Sequence, residues 1–259
     1  MTSTKMNSTE NDSPLSDIRI GEITHHWASS QNLKSFYSKA TESTNTQAKN
    51  EAFSEVSLNE QLTLYVTDLQ TSGRGRGKNT WSQAPRGSQL LSTWSFMVDQ
   101  SPLPTFAPQV GLAIYRAALA TWPFLKWNLK APNDLYIEQK KIAGLLIETV
   151  SQGEDIRLLI GLGFNVIAAP AEVAIATNLV KELGPHSPLL AEDWIAFLER
   201  LLFEFSNALQ FLAEPLNSTT THSLLHALNQ HPLLTEKYLD LDSQGNLKTE
   251  SKNIRWSDL

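Results

Sequence analysis

A basic, glycine-rich stretch at residues 71–81 constrains this chain more than any other feature. It carries Gly73, Gly75 and Gly77 interleaved with Arg74, Arg76 and Lys78, and it ends at Trp81. Residues 62–67 before it and 89–98 after it are apolar runs of strand length and composition. The fold must therefore hold a cationic loop between two strands. Glycines let backbone N–H groups approach a ligand, and guanidinium forks grip carboxylate or phosphate oxygens, so the loop is a candidate anion site. The competing reading is a solvated basic loop. The loop is not the G-x-x-x-x-G-K-[ST] element of nucleotide hydrolases. Aligned on Gly77 and Lys78, that pattern needs glycine at Ser72 and a hydroxyl at Asn79, and the chain continues into a strand rather than a helix.

Composition narrows the classes. A length of 259 residues suits one large domain, or one domain with a small appendix. The net charge is −6, so the cationic loop is a local feature and the chain is not a general polyanion binder. Cysteine is absent, which excludes disulfides, thiolate zinc sites and cysteine nucleophiles. No apolar run reaches membrane-spanning length, and the polar N-terminus lacks an apolar signal core. A cytoplasmic protein is expected, with no membrane or nucleic-acid partner.

Along the chain, residues 1–16 are polar, lack periodicity and are expected to be disordered. Residues 19–27 read as a first edge strand and residues 33–39 as another. Ser43 or Thr44 is a natural N-cap for a helix that follows, over residues 46–53. Residues 106–122 have helical apolar spacing, with Pro123 as the stop. Residues 124–130 read as a strand entering a turn at residues 131–134, where Asn133 and Asp134 stand side by side. Residues 135–137 and 142–150 form an expected hairpin joined by residues 138–141, and residues 156–166 a further strand. Gly144, Gly161 and Gly163 interrupt these strands, marking either bulges or close approach of a ligand or another backbone. Residues 191–212 carry an apolar helical stripe read as core. Residues 217–221 read as a polar linker, and Gln244 to Asn246 as a hairpin turn. His222, His226 and His231 lie near one another, but no carboxylate or cysteine completes a metal-ligand set.

Five stretches in order resemble the catalytic core of biotin–protein ligases: Ser43-Thr-Asn45, Gly73-Arg-Gly-Arg76 with Trp81, Lys130-Ala-Pro-Asn-Asp134, Lys141-Ile-Ala-Gly-Leu-Leu-Ile-Glu148 and Ile160-Gly-Leu-Gly-Phe-Asn165. Each alone is weak; their order and spacing over residues 33–212 carry the resemblance. The chain departs from the family pattern at Ala131, where a tryptophan is usual, and at residues 77–80, where a further Gly and Arg are usual. The resemblance implies an α+β fold, a mixed sheet backed by helices as in class II synthetase-like biotin/lipoate ligases. It divides the chain into a catalytic domain at residues 17–215 and a linker with a shortened C-terminal β segment at residues 216–259. No N-terminal DNA-binding domain is expected.

The chemistry implied by the resemblance is attachment of biotin to a lysine of a biotin carboxyl carrier domain through biotinyl-5′-AMP, using ATP and Mg²⁺. Lys141, Arg74 and Arg76 are the implied catalytic cations. Ser43, Thr44, Asn45, Gln70, Arg74, Gly75, Arg76, Lys141, Gly144, Leu146, Gly161 and Gly163 are implied in biotin binding. Arg76, Lys78, Trp81, Lys130, Asn133, Asp134 and Asn165 are implied at ATP, with Asn133 and Asp134 at Mg²⁺. A lipoate or octanoate ligase of the same fold and a decayed, biotin-binding relative are the alternatives. A nucleic-acid binder using the Arg-Gly loop is a third, opposed by the net charge and by the single isolated basic cluster.

Overall fold

The computed structural model describes residues 18–259; the expected disorder at residues 1–16 lies outside them. The elements in chain order are α1 (Ile20–Ser30), β1 (Lys34–Ser38), α2 (Thr44–Asn50), α3 (Glu55–Leu58), β2 (Leu62–Thr67), β3 (Gln89–Val98) and α4 (Phe106–Thr121). They continue with β4 (Trp127–Lys130), β5 (Asp134–Ile137), β6 (Lys140–Gln152), β7 (Asp155–Asn165), α5 (Leu179–Leu183), α6 (Ala191–Leu209), α7 (Ser218–Asn229), β8 (Asp240–Leu241), β9 (Leu247–Lys248) and β10 (Asn253–Ile254). Seven strands form one sheet in the order β1-β2-β3-β7-β6-β5-β4. Among the strand pairs of this sheet, only β1 and β2 run parallel. This is the mixed, helix-backed α+β sheet expected.

Period-two alternation divides the faces of this sheet. Leu158, Ile160, Leu162 and Phe164 of β7 join Leu90, Trp94 and Phe96 of β3 in the main core. Helices α4 and α6 supply Val110, Ile114, Ala117, Phe197, Leu201 and Phe205 to the same core. Its centre is aromatic: Phe164 packs against Trp194 and Phe197, and Trp94 meets Phe205 edge-on. Leu159, Gly161, Gly163 and Asn165 alternate with the core set along β7. A small second cluster of Ala48, Tyr65 and Leu159 seats α2 on that other face.

Three sequence expectations are corrected. Residues 19–27 form helix α1, not an edge strand. Ile20, Thr24, Trp27 and Ala28 are buried at helical spacing, and a Cβ on Gly21 would come within 2.8 Å of Asp68 Oδ1. Residues 217–221 are no linker: Asn217 caps α7 by accepting from Thr220 N at 2.8 Å. Leu224, Ala227 and Leu228 of that helix, with Leu241 and Leu247 of the C-terminal strands, belong to the main core. Packing is therefore continuous across the expected division at residue 215. The hairpin turn after β5 is also shorter than expected, since β6 begins at Lys140 and Lys141 lies within the strand. The C-terminal β segment is the expected small one, a three-stranded sheet of β10-β9-β8.

Candidate active site

On the sheet face opposite the main core, the N-terminus of α2 and the loop of residues 73–81 border a cavity of about 690 Å³, within the size range of small-molecule sites. It gathers residues from five sequence-distant stretches: Ser43, Thr44 and Asn45; Gln70, Arg74, Gly75, Arg76, Lys78 and Trp81; Lys130, Asn133 and Asp134; Lys141, Gly144 and Leu146; Gly161 and Gly163. Every residue proposed from sequence lines it except Asn165. Asn165 is buried, accepts from Gln89 Nε2 at 2.8 Å and donates to Thr177 O at 3.0 Å. The expectation that it touches a triphosphate is therefore corrected: both ends of its amide serve the interior.

The start of α2 is fixed by side-chain hydrogen bonds. Ser43 caps the helix through Thr46 N, as its residue type predicts. Gln70 Oε1 accepts from Thr44 N at 2.8 Å and from Thr44 Oγ1 at 3.2 Å. Asn45 differs from expectation, because both ends of its amide are occupied. Nδ2 donates to Glu148 Oε2 at 3.0 Å, while Oδ1 accepts from Thr93 Oγ1. Nδ2 also donates to Leu146 O at 3.4 Å, so both amide N–H groups are spent within the protein, and the side chain holds the floor of the cavity with a second lone pair of Oδ1 as its remaining capacity.

The glycines in β6 and β7 admit protein atoms. A Cβ on Gly161 would lie 2.1 Å from Asn45 Oδ1, and one on Gly163 would lie 2.5 Å from Trp81 Cε2. Asn45 and the Trp81 indole therefore rest directly on the sheet. The loop reaches this position as a small closed turn, with Gly75 N donating to Asn79 O at 2.8 Å and Trp81 N to Gly73 O at 3.0 Å. Gly77 adopts a positive φ of 63°, which a side chain would resist.

The cations fall into four settings. Arg74 makes a two-pronged pair with Glu148, at 2.8 and 2.9 Å. Arg76 donates to Leu259 O at 2.9 Å and Trp256 O at 3.2 Å, tying the C-terminal segment to the cavity rim. Lys141 Nζ lies 2.7 Å from Asp134 Oδ1, an ion pair whose geometry is not that of a hydrogen bond, and 5.7 Å from the Trp81 ring centroid. Lys130 and Lys78 are exposed on the rim. Glu148 and Thr93 were missed by sequence reasoning. Glu148 had a signal, standing four residues beyond Gly144 and so on the same strand face; Thr93 had none. Burial pushes the Glu148 carboxyl up, but hydrogen bonds from Asn45 and Arg74 and the Arg74 charge outweigh it and hold the group below its ordinary value.

Asn133 and Asp134 do not by themselves build a Mg²⁺ site. The Asn133 amide donates to Leu145 O, and Asp134 is charge-paired with Lys141. Among the described residues no three His, Cys, Asp or Glu side chains converge as a metal cluster. Nor is any described helix long and apolar enough to cross a membrane.

A helix-backed mixed sheet with an arginine–glycine loop closed over a polar cavity defines a class, and comparison with known proteins gives it a family. Residues 37–165 match the biotin/lipoate A/B protein ligase family, and the chain belongs to it. Within that family its relatives are biotin–protein ligases. The chain is 30% identical over 135 residues to the chloroplastic biotin–protein ligase 1 of Arabidopsis thaliana, an alignment covering 50% of this chain and 36% of the other. It is 29% identical over 153 residues to a biotin–[acetyl-CoA-carboxylase] ligase of Mycobacterium tuberculosis, covering 56% of each. The chain thus spans about half or less of the length of these relatives. Its fold is that of the Aquifex aeolicus biotin protein ligase solved with biotin and ATP, with a TM-score of 0.62 at 23% identity over 85% of this chain and 95% of the other.

Proposed function

We propose that the protein is an ATP-dependent ligase that activates biotin as biotinyl-5′-AMP and transfers it to a lysine of a biotin carboxyl carrier domain. The observation that carries this reading is the convergence of Arg74, Lys141 and the α2 N-terminus on one cavity, in a chain of this family. Joining a carboxylate to a phosphoryl group brings two anions together, and charge grows on the phosphoryl oxygens. Fixed cations offset the repulsion and stabilise that charge. Arg74 is held in orientation by Glu148, and Lys141 is held by Asp134 beside Trp81. Both are positioned before a ligand arrives. Gln70 spends its carbonyl on Thr44, which leaves its amide N–H groups to donate to a polar ligand ring. Attack by the carrier lysine on the mixed anhydride then releases AMP.

Mg²⁺ would accompany ATP, bound chiefly by phosphate oxygens and water as this ion prefers; no residue role here depends on it. The test is intact-mass analysis of a biotin-carboxyl-carrier domain after incubation with the protein, ATP, Mg²⁺ and biotin. Parallel reactions contain lipoate or octanoate in place of biotin. A mass increase of one biotinyl group, dependent on ATP and on the carrier lysine, is expected. Transfer of lipoate or octanoate instead would assign the protein to the other branch of the family.

A further inference from the structure

We propose that Glu148 is the positioning residue of this site, a single carboxylate that sets both Arg74 and Asn45 against the sheet. The inference rests on the ligase reading above for its functional consequence and on geometry for its content. Glu148 stands on β6 at even spacing from Gly144 and Leu146, which line the cavity. Its Oε1 accepts from Arg74 Nη2 at 2.8 Å. Its Oε2 accepts from Arg74 Nη1 at 2.9 Å and from Asn45 Nδ2 at 3.0 Å. Three donor atoms thus reach one acidic group from two segments, the arginine loop and the start of α2, whose other links lie just before the loop, where Ser72 N donates to Glu42 O and Gln70 accepts from Thr44.

A carboxylate only accepts, so it dictates which end of the Asn45 amide faces it. Nδ2 must point to Glu148 and Oδ1 to Thr93, as found. Gly161 opens the path, since any side chain there would strike Asn45. The arginine is handled by geometry as well as charge. Pairing through Nη1 and Nη2 uses the end of the guanidinium and leaves the N–H groups of its Nε edge for a second anion. Arg74 lines the cavity, and its side chain is 40% exposed against 20% for Glu148. The acid therefore sits behind the arginine. Its role is to freeze a long, flexible side chain on a glycine-rich loop, so that little ordering remains when a carboxylate ligand binds.

The test compares Glu148→Gln with the unmodified protein in biotin-dependent pyrophosphate exchange, fitting KM for biotin and kcat separately. Amide exchange across residues 43–47 and 73–81 is followed without ligand. The expected result is a rise in KM for biotin of about tenfold with a much smaller change in kcat, because orientation of a binding group is lost. Faster exchange in both segments at nearly unchanged melting temperature is expected alongside. In an Arg74→Ala background, Glu148→Gln should cause little further rise in KM, since Arg74 is the ligand-facing group that Glu148 sets, while exchange across residues 43–47 should still quicken through the lost Asn45 contact. Should Glu148→Gln fail to fold, Glu148→Asp, which keeps the charge but shortens the reach, should show the same KM effect. An unchanged KM in an otherwise active protein, or losses that add independently with Arg74→Ala, would overturn the proposal. If the unmodified protein exchanges no pyrophosphate, the ligase reading fails; unchanged amide exchange in Glu148→Gln would then overturn the positioning role on its own.

Discussion

Lys141 Nζ lies 2.7 Å from Asp134 Oδ1, across neighbouring strands of one sheet. The two residues were expected in separate roles, one at the reacting carboxylate and one at a metal. In the folded protein they form one unit, with Trp81 beside the ammonium and Gly144 leaving room for it. A Cβ on Gly144 would sit 3.3 Å from Lys141 Nζ and 3.2 Å from Asp134 Oδ1.

Lys141→Ala is expected to reduce pyrophosphate release about a hundred- to a thousand-fold, the roughly 3–4 kcal/mol typical of one preorganised charge donor in a transition state. It also leaves Asp134 without its cation in a partly buried position, so a stability loss of about 1–2 kcal/mol is expected, between the values for exposed and buried pairs. Lys140→Ala is the control: Lys140 is exposed and should change neither rate nor melting temperature. Equal small losses in the two variants would remove Lys141 from the chemistry.

Gly163→Ala and Gly111→Ala should separate in opposite directions. The first places a methyl 2.5 Å from Trp81 Cε2, so the indole must leave the sheet. Altered tryptophan fluorescence and weaker biotin binding are expected. The second lies in α4 with nothing within 4 Å of the new methyl. It should raise stability by about 0.5–1 kcal/mol through helix propensity and leave binding alone. Isothermal titration with biotin and thermal melts of both variants decide it.

Arg157→Ala should destabilise the protein by about 3–5 kcal/mol, measured by urea unfolding. Its guanidinium is fully buried and donates to three backbone carbonyls, those of Ser57, Glu60 and Ser95. Truncation orphans these acceptors and leaves a cavity. Burial pushes the Arg157 pKa down, yet arginine's high starting value keeps it charged. A loss below 1 kcal/mol would show that water replaces the guanidinium without penalty.

His231 gives a pH dependence of known sign. It is buried against Tyr136, with Nδ1 2.7 Å from Asn128 Oδ1. Burial, and then the charge of Lys130, lower its pKa below 6.5. The unfolded chain therefore takes up the proton first. The stabilising contribution is fully present above about pH 6.5 and is lost as pH falls through the lowered folded value. Melting temperatures at pH 8, 6.5 and 5.5 should decline on acidification, and His231→Gln should flatten the part due to this residue. An identical decline in the variant would assign the effect to other groups.

Much of this protein is local in origin and was therefore legible in the chain. Strands β2, β3 and β7 and helices α4 and α6 follow from apolar spacing, which a single segment carries in itself. The Ser43 cap follows from residue type. The ordered signatures brought all but one of the proposed side chains to one cavity. Helix α1 was misread because its apolar positions are sparse, and only the fold shows that Ile20, Thr24, Trp27 and Ala28 share a buried face.

What tertiary structure alone decided is which way particular side chains point. Strict alternation along β6 would put Lys140, not Lys141, on the face shared by Gly144, Leu146 and Glu148. The register shifts instead: Tyr136 pairs with Lys141 and Leu135 with Ala143, so Ile142 has no partner opposite it. This one-residue bulge turns Lys141 onto the cavity face and hands its ammonium to Asp134. The same dependence on distant partners binds Asn45 to Glu148, 103 residues away, and turns Asn165 inward to Gln89. A bulge and a long-range hydrogen bond are properties of two strands or elements meeting. No stretch of a single chain segment records them, because the second partner that makes them favourable is absent until the sheet has formed.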